Sequence, residues 1–162
     1  MFRAHCARLS CVGEQVVYRT ILVPLDGSEV AASILEQVAV LAREYGARLL
    51  LLTVGLPIPS EWANASDLRL TLTFQAEAYL QQVRTYLETQ GLEVSSMVCI
   101  GDPACEILDV AAHHQVDLII INSRGGGGAQ SLFLGSVAEK IAAAAAVPVL
   151  IFHAPSNEEK HP

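Results

Sequence analysis

Apolar positions in this chain alternate between two spacings. Residues 19–26, 47–54 and 116–122 are short, nearly unbroken runs of Val, Leu and Ile. Such runs are expected of strands buried on both faces. Between them the apolar residues fall three or four apart. In residues 29–45 Ile34, Leu35, Val38 and Leu41 define one face of a helix, with Ser28 as its cap and Gly46 as its stop. A second helix is expected from a cap at Ser66 or Thr71 to about residue 90. Phe74, Ala78, Leu80, Val83 and Leu87 form its apolar side and Gly91 ends it. Residues 93–100 alternate as an edge strand would.

Asp102 and Pro103 open a third helix, the acid as cap and the proline at the first helical position. Ile107, Leu108 and Ala111 are its expected buried side. Residues 136–146 read as a fourth helix, with Ser136 and Glu139 spaced as a capping box. Residues 147–153 form the last strand. Strand and helix thus alternate strictly. Right-handed crossovers then give a single α/β domain, a three-layer sandwich around a five-stranded parallel doubly wound sheet. Residues 1–17 read as a leader, 18–154 as the folded domain and 155–162 as a polar tail.

Composition agrees with a packed domain. The 162 residues are 52% hydrophobic and 17% charged, which excludes a disordered chain. Aromatic residues are only 6%, so the core must be built from Ala, Val, Leu and Ile. The net charge of −7 argues against broad electrostatic binding to nucleic acid or an anionic membrane. The longest apolar stretch, 142–152, is too short to span a bilayer and contains Pro148. Cys6, Cys11, Cys99 and Cys105 form no paired framework, and residues 1–17 show no secretory signal. These features predict a cytoplasmic protein. His5, Cys6 and Cys11 lack the tight pairs and fourth ligand of a zinc site and read as incidental.

The candidate chemistry concentrates between residues 122 and 136. Four glycines, Gly125, Gly126, Gly127 and Gly128, leave the backbone free of Cβ atoms, so its amides can approach an anion. The segment leads to Gly135, Ser136 and a helix N-terminus, where free amides and the dipole favour phosphate. Arg124 is its one cation. The GK[ST] ending of a Walker A loop is missing, and the glycines follow the fourth strand rather than the first, unlike a dinucleotide fingerprint. A plain linker would show the same composition. Asp26 ends the first strand, where a carboxylate suits ribose hydroxyls or a metal, or a cap shared with Ser28. Val54 ends the second strand, as a wall for a base or as a core valine. His113, His114 and His153 read as surface residues, and Asp102, Glu106 and Asp109 as a solvated helix face. No Ser/His/Asp arrangement or G-x-S-x-G elbow is present.

Residues 19–153 resemble the universal stress protein family. The matching pieces are ILVPLDGSE, LLLLTV, GDPACEIL, DLIIINSRGGGG, LFLGSVAEKI and VPVLIF. The nucleotide-binding branch carries G-x2-G-x9-G-[ST]. Here the positions read Asn122, Gly125, Gly135 and Ser136, so three of four match and Asn122 replaces the first glycine. That position is expected to sit in a turn with positive φ, which Asn tolerates. The resemblance implies a Rossmann-like fold of the adenine nucleotide alpha hydrolase type, strand order 3-2-1-4-5. It implies that Pro24, Leu25 and Asp26 touch adenine and ribose and that Val54 holds the base. Gly125 to Gly128 would wrap a triphosphate, together with Gly135, Ser136 and Val137. Asn122, Ser123, Arg124 and Ala138 complete the implied nucleotide contacts.

The implied ligand is ATP, with Mg2+ bridging its phosphates and no protein metal ligand, ahead of cyclic AMP in the same pocket. The implied assembly is a homodimer through residues 147–152. The implied role is a nucleotide-binding sensor or regulator of a stress response with little turnover, not an enzyme. Two alternatives stand beside it. One is a member that binds no nucleotide and acts through protein contacts. The other is a slow ATPase or self-phosphorylating protein, for which no base beyond Asp26 is evident.

Overall fold

The computed structural model describes residues 18–28, 34–62, 64–123 and 134–153. The expectations for residues 1–17, for Arg124 and Gly125 to Gly128, and for the tail lie outside the described residues.

Within them the elements are β1 (Thr20–Pro24), α1 (Leu35–Tyr45), β2 (Arg48–Gly55), α2 (Ala65–Thr89), β3 (Val94–Ile100), α3 (Pro103–His113), β4 (Leu118–Asn122), α4 (Ser136–Ala144) and β5 (Val149–Phe152). The strands form one parallel sheet in the order β3-β2-β1-β4-β5, as expected. Successive strand residues point to opposite faces. Each strand therefore feeds two cores. Ile21, Val23, Leu49, Leu51 and Ile120 pack with Val38 of α1 and Leu80, Val83 and Leu87 of α2. Leu22, Leu50, Leu52, Ile119 and Ile121 pack with Ile107, Val110 and Ala111 of α3 and Ala138 and Ile141 of α4. This two-sided burial is why β1, β2 and β4 read as unbroken apolar runs.

Several helix signals act as the residues suggest. Gly46 ends α1 in the left-handed region, φ 62°, where its amide reaches Ala42 O and Arg43 O. Asp102 caps α3, accepting from the Cys105 amide at 3.1 Å, with Pro103 at the first helical position.

Others are corrected. The cap of α2 is Asn64, left-handed at φ 65° with no side-chain cap bond, rather than Ser66 or Thr71. Phe74 is 72% exposed and Ala78 is also exposed, so neither joins the core. The reason is length. α2 has 25 residues and β2 only eight, so the helix runs about 37 Å against about 27 Å of strand. Apart from Ala65, its buried residues lie in the second half. The expected capping box of α4 is absent: Gly135 is the N-cap and no side chain caps it. In the described part of α1 the N-cap is Ile34, without a side-chain cap, and the expected cap by Ser28 concerns residues 29–33, outside the described residues.

Candidate functional site: the crevice between β1 and β4

In the sheet order β1 has β2 on one side and β4 on the other. The chain reverses its winding direction there, and the carboxyl ends of the strands open a crevice at that switch point. Pro24, Leu25 and Asp26 arrive on one side of it, Asn122 and Ser123 on the other, and the start of α4 beside the latter.

Asp26 is exposed, and its Oδ1 accepts from the Ser28 amide at 3.0 Å and the Ser28 hydroxyl at 2.6 Å. The Asp26–Ser28 pairing is thus a local turn that holds the carboxylate in place. Gly27 between them has φ 79°, a conformation that side chains resist. Leu25 differs from Asp26: its side chain belongs to the α1/α2 core. Its amide donates to Leu52 O at 2.8 Å and its carbonyl accepts from Thr53 Oγ1 at 3.0 Å. Pro24 is half-buried at the end of β1. Val54 is half-buried against the α3/α4 core, one residue before β2 ends.

Asn122 is the last residue of β4, paired with Phe152 and only 7% exposed. It is not among the positive-φ residues, so the expected turn at this position is overturned. The strand continues through the position where the family motif has its first glycine. Replacing that glycine by Asn carries no backbone penalty here, and its consequence is confined to the side chain.

Ser123 ties the next step together. Its amide donates to Phe152 O at 2.7 Å and its carbonyl accepts from the Gly135 amide at 2.8 Å. The chain therefore leaves at Ser123 and returns at Gly135 at nearly the same point. A Cβ on Gly135 would lie 3.2 Å from Ser123 O, a tight contact that any side chain there would have to accommodate. The Ser123 side chain is 1% exposed, and its Oγ has no hydrogen-bond partner. Ser136, Val137 and Ala138 form the first turn of α4, whose amides are free of intrahelical partners. Ala138 itself is buried in the core, so only its backbone belongs to this end.

One residue here is invisible to pattern reading. Tyr79 of α2 packs on the α1/α2 core, and its hydroxyl is buried without a partner. Burial pushes its phenol pKa up, and the negative charge of Asp26 adds to that. A tyrosine in mid-helix at a half-buried position gives no sequence signal.

The polar groups on α3 have structural roles. The Asp102 carboxylate is held below its ordinary range, first by the Cys105 amide and thiol and then by Lys140, whose Nζ lies 3.5 Å away. The Cys105 thiol is raised by its bond to Asp102, and the Cys99 thiol by burial and then by Glu106. Both thiols are therefore poor nucleophiles. Glu106 also covers Gly101, where a Cβ would collide with its carboxylate. His113, His114 and His153 are exposed, as expected. Among the described residues no three His, Cys, Asp or Glu side chains group as metal ligands.

A parallel sheet of this order, with its switch point between β1 and β4 bordered by a carboxylate and a helix N-terminus, places the chain among doubly wound α/β proteins, a class whose ligands bind at such switch points. The family follows from comparison. The model of the universal stress protein family matches residues 17–153, and the chain belongs to that family. Universal stress protein MJ0531 of Methanocaldococcus jannaschii is 30% identical, covering 88% of this chain and 86% of the relative. The solved structure of MJ0577 from the same organism superimposes with a TM-score of 0.80 at 30% identity, over 88% of this chain and all of that one. A universal stress protein in complex with cAMP gives a TM-score of 0.64 at 22% identity, over 85% of this chain and 98% of that one. One from Archaeoglobus fulgidus in complex with dAMP gives 0.63 at 22%, over 83% and 98%. These last two share the fold.

Proposed function

We propose that this protein binds an adenine nucleotide in the β1/β4 crevice and acts as a nucleotide-responsive stress protein with little turnover. The observation that carries the reading is the meeting of three features at one switch point. These are the held carboxylate of Asp26, the unpartnered Ser123 hydroxyl, and the free amides at the start of α4 beside Gly135. Asp26 suits ribose hydroxyls as an acceptor. The amides of Ser136, Val137 and Ala138 suit phosphate oxygens. Val54 stands at the β2 end, where an apolar wall for the base is needed. Arg124 and Gly125 to Gly128 follow Ser123 in the sequence, and on this reading they add further contacts to the same phosphates. Related folds crystallised with cAMP and dAMP support an adenine ligand. The proposed ligand is ATP, with Mg2+ held through its phosphates rather than by a protein cluster, and cyclic AMP ranks behind it. The same reading makes the protein cytoplasmic and pairs β5 with a second copy. In this chain β5 is an apolar edge strand with Leu150 exposed.

A thermal-shift titration of nucleotide-free protein with Mg-ATP, ADP, AMP and cyclic AMP tests it. Ligand at about 100 times its Kd stabilises by about 2.7 kcal/mol. ATP should give the largest shift, and Asp26→Ala should shrink it while leaving the unliganded melting temperature near that of the parent. No shift with any of the four would overturn the reading. It would favour action through protein contacts instead, for which the buried Asn122 side chain at the motif glycine is the supporting observation.

A further inference from the structure

The amino end of the sheet carries a second concavity, unrelated to the crevice. A cleft of about 210 Å³ opens there, with Thr20, Arg48, Ser95, Ser96 and His114 as its polar wall. Leu50 and Met97 form its floor. Strand register brings these residues together: Thr20 pairs with Arg48, Leu50 with Ser95 and Leu52 with Met97. His114 follows the last turn of α3 and closes the cleft from the helix side. β1 is five residues long, so about 16 Å of strand separates this cleft from the crevice.

Arg48 is prepared for a ligand. Its Nε donates to Thr20 Oγ1 at 2.9 Å, which orients the guanidinium and leaves both terminal nitrogens available. That fork matches the oxygens of a carboxylate or phosphate. Thr20 is buried, and its hydroxyl, accepting from Arg48, keeps its own proton to donate. No carboxylate lines the cleft, and among the described residues Arg48 has no ion pair. Asp117, at the same end of the sheet, already accepts from the amides of Arg19 and Thr20 at 2.9 Å each. Ser95 spends its proton on Leu49 O at 3.3 Å, and Ser96, paired with Leu51, turns its side chain to the opposite face of the sheet. In a chain of net charge −7, a guanidinium without an acid beside an imidazole and one hydroxyl donor is a local exception.

We infer that this cleft binds a small tetrahedral oxyanion, a phosphate or phosphate monoester, at a site separate from the nucleotide crevice. The donors Thr20, Arg48 and His114 converge from β1, β2 and the end of α3 rather than from one plane. That favours a tetrahedral anion over a flat carboxylate. The inference does not depend on nucleotide binding at the other end.

The test is amide chemical-shift mapping of the full chain by NMR. Inorganic phosphate is titrated against acetate, with ionic strength held constant by sodium chloride. The expected result is saturable movement of the Thr20, Arg48, Ser96 and His114 amides with phosphate and weaker movement with acetate. Arg48→Gln should weaken phosphate binding about tenfold or more, as loss of a charged hydrogen-bonding partner does. His114→Gln, which leaves the Arg48–Thr20 bond in place, should weaken it by less, and it decides the matter if Arg48→Gln does not fold. Phosphate shifts confined to Ser123, Gly135 and Ser136 would place the anion in the crevice and overturn the proposal. So would unsaturable shifts matched by chloride, or variants that bind as the parent does.

Discussion

At the amino end of the sheet, Asp117 takes the amides of Arg19 and Thr20, and Arg48 is bonded to Thr20. At the carboxyl end, the buried Ser123 Oγ and the Tyr79 hydroxyl, which feels the charge of Asp26, find no partner. The two ends share the same strands and the same apolar interior. They differ in whether their buried polar groups are satisfied within the chain. A buried polar group without a partner costs about 1–3 kcal/mol, so a fold keeps such groups where something else completes them. The buried polar groups of the amino end hold the sheet together and leave only the exposed Arg48 fork to an anion, whereas at the carboxyl end the buried hydroxyls themselves lack partners.

The largest effect should come from a substitution that damages both ends. Ile120 is fully buried at the centre of β4. Ile120→Ala should cost about 2–5 kcal/mol, read as a denaturant midpoint shift, with nucleotide response lost only as far as the fold is lost.

Asp117→Ala should separate the ends. Losing two backbone donors' acceptor should cost about 1–3 kcal/mol in chemical denaturation, while ATP affinity of the folded fraction stays unchanged. An equal loss of affinity would show that the two ends are not independent.

Ser123→Ala and Tyr79→Phe sharpen the contrast from the other side. Each removes a hydroxyl that has no partner in this structure, so unliganded stability should stay level or rise by up to about 1 kcal/mol. Nucleotide-dependent stabilisation should fall in at least one of the two. A destabilisation like that of Asp117→Ala would mean that these hydroxyls are satisfied in solution and that the ends do not differ.

The smallest effect concerns Asp102, whose carboxylate is held below its ordinary value of 3.8 by the Cys105 amide. A lowered carboxylate stabilises the fold above its unfolded pKa, and that contribution disappears as pH falls through the folded value. The protection of the α3 amides, taken relative to free-peptide exchange at the same pH, should therefore fall on acidification below 3.8, while that of the β1 amides stays high. If α3 exchange did not respond to acid, the cap would have no measurable role.

Much of the architecture is legible in the residues alone. Unbroken Val, Leu and Ile runs alternating with helical periods specify buried parallel strands and their crossovers, because only a sheet covered on both faces tolerates such runs. Gly46, Asp102 and Pro103 mark helix ends by local rules, since backbone conformation and short-range hydrogen bonds decide them. The resemblance across residues 19–153 named the family that the comparisons show.

What the pattern missed depends on packing partners distant in sequence. Phe74 has the spacing of a core residue, yet α2 outruns the sheet and leaves it in solvent. Leu25 sits beside Asp26 in sequence, yet its side chain turns into the core and only its backbone faces the crevice end. Asn122 stays in the strand read from residues 116–122 because Phe152 pairs with it, where the position of the motif glycine asks for a turn. Tyr79 and Arg48 acquire their surroundings from strands and helices far along the chain. The sequence by itself determined the order of elements and the end of the sheet where the candidate residues gather, because periodicity and chain connectivity are local properties. Only the tertiary structure decided which polar atoms are satisfied, because a hydrogen bond between Asp117 and Thr20, or its absence at Ser123, is a fact about neighbours in space.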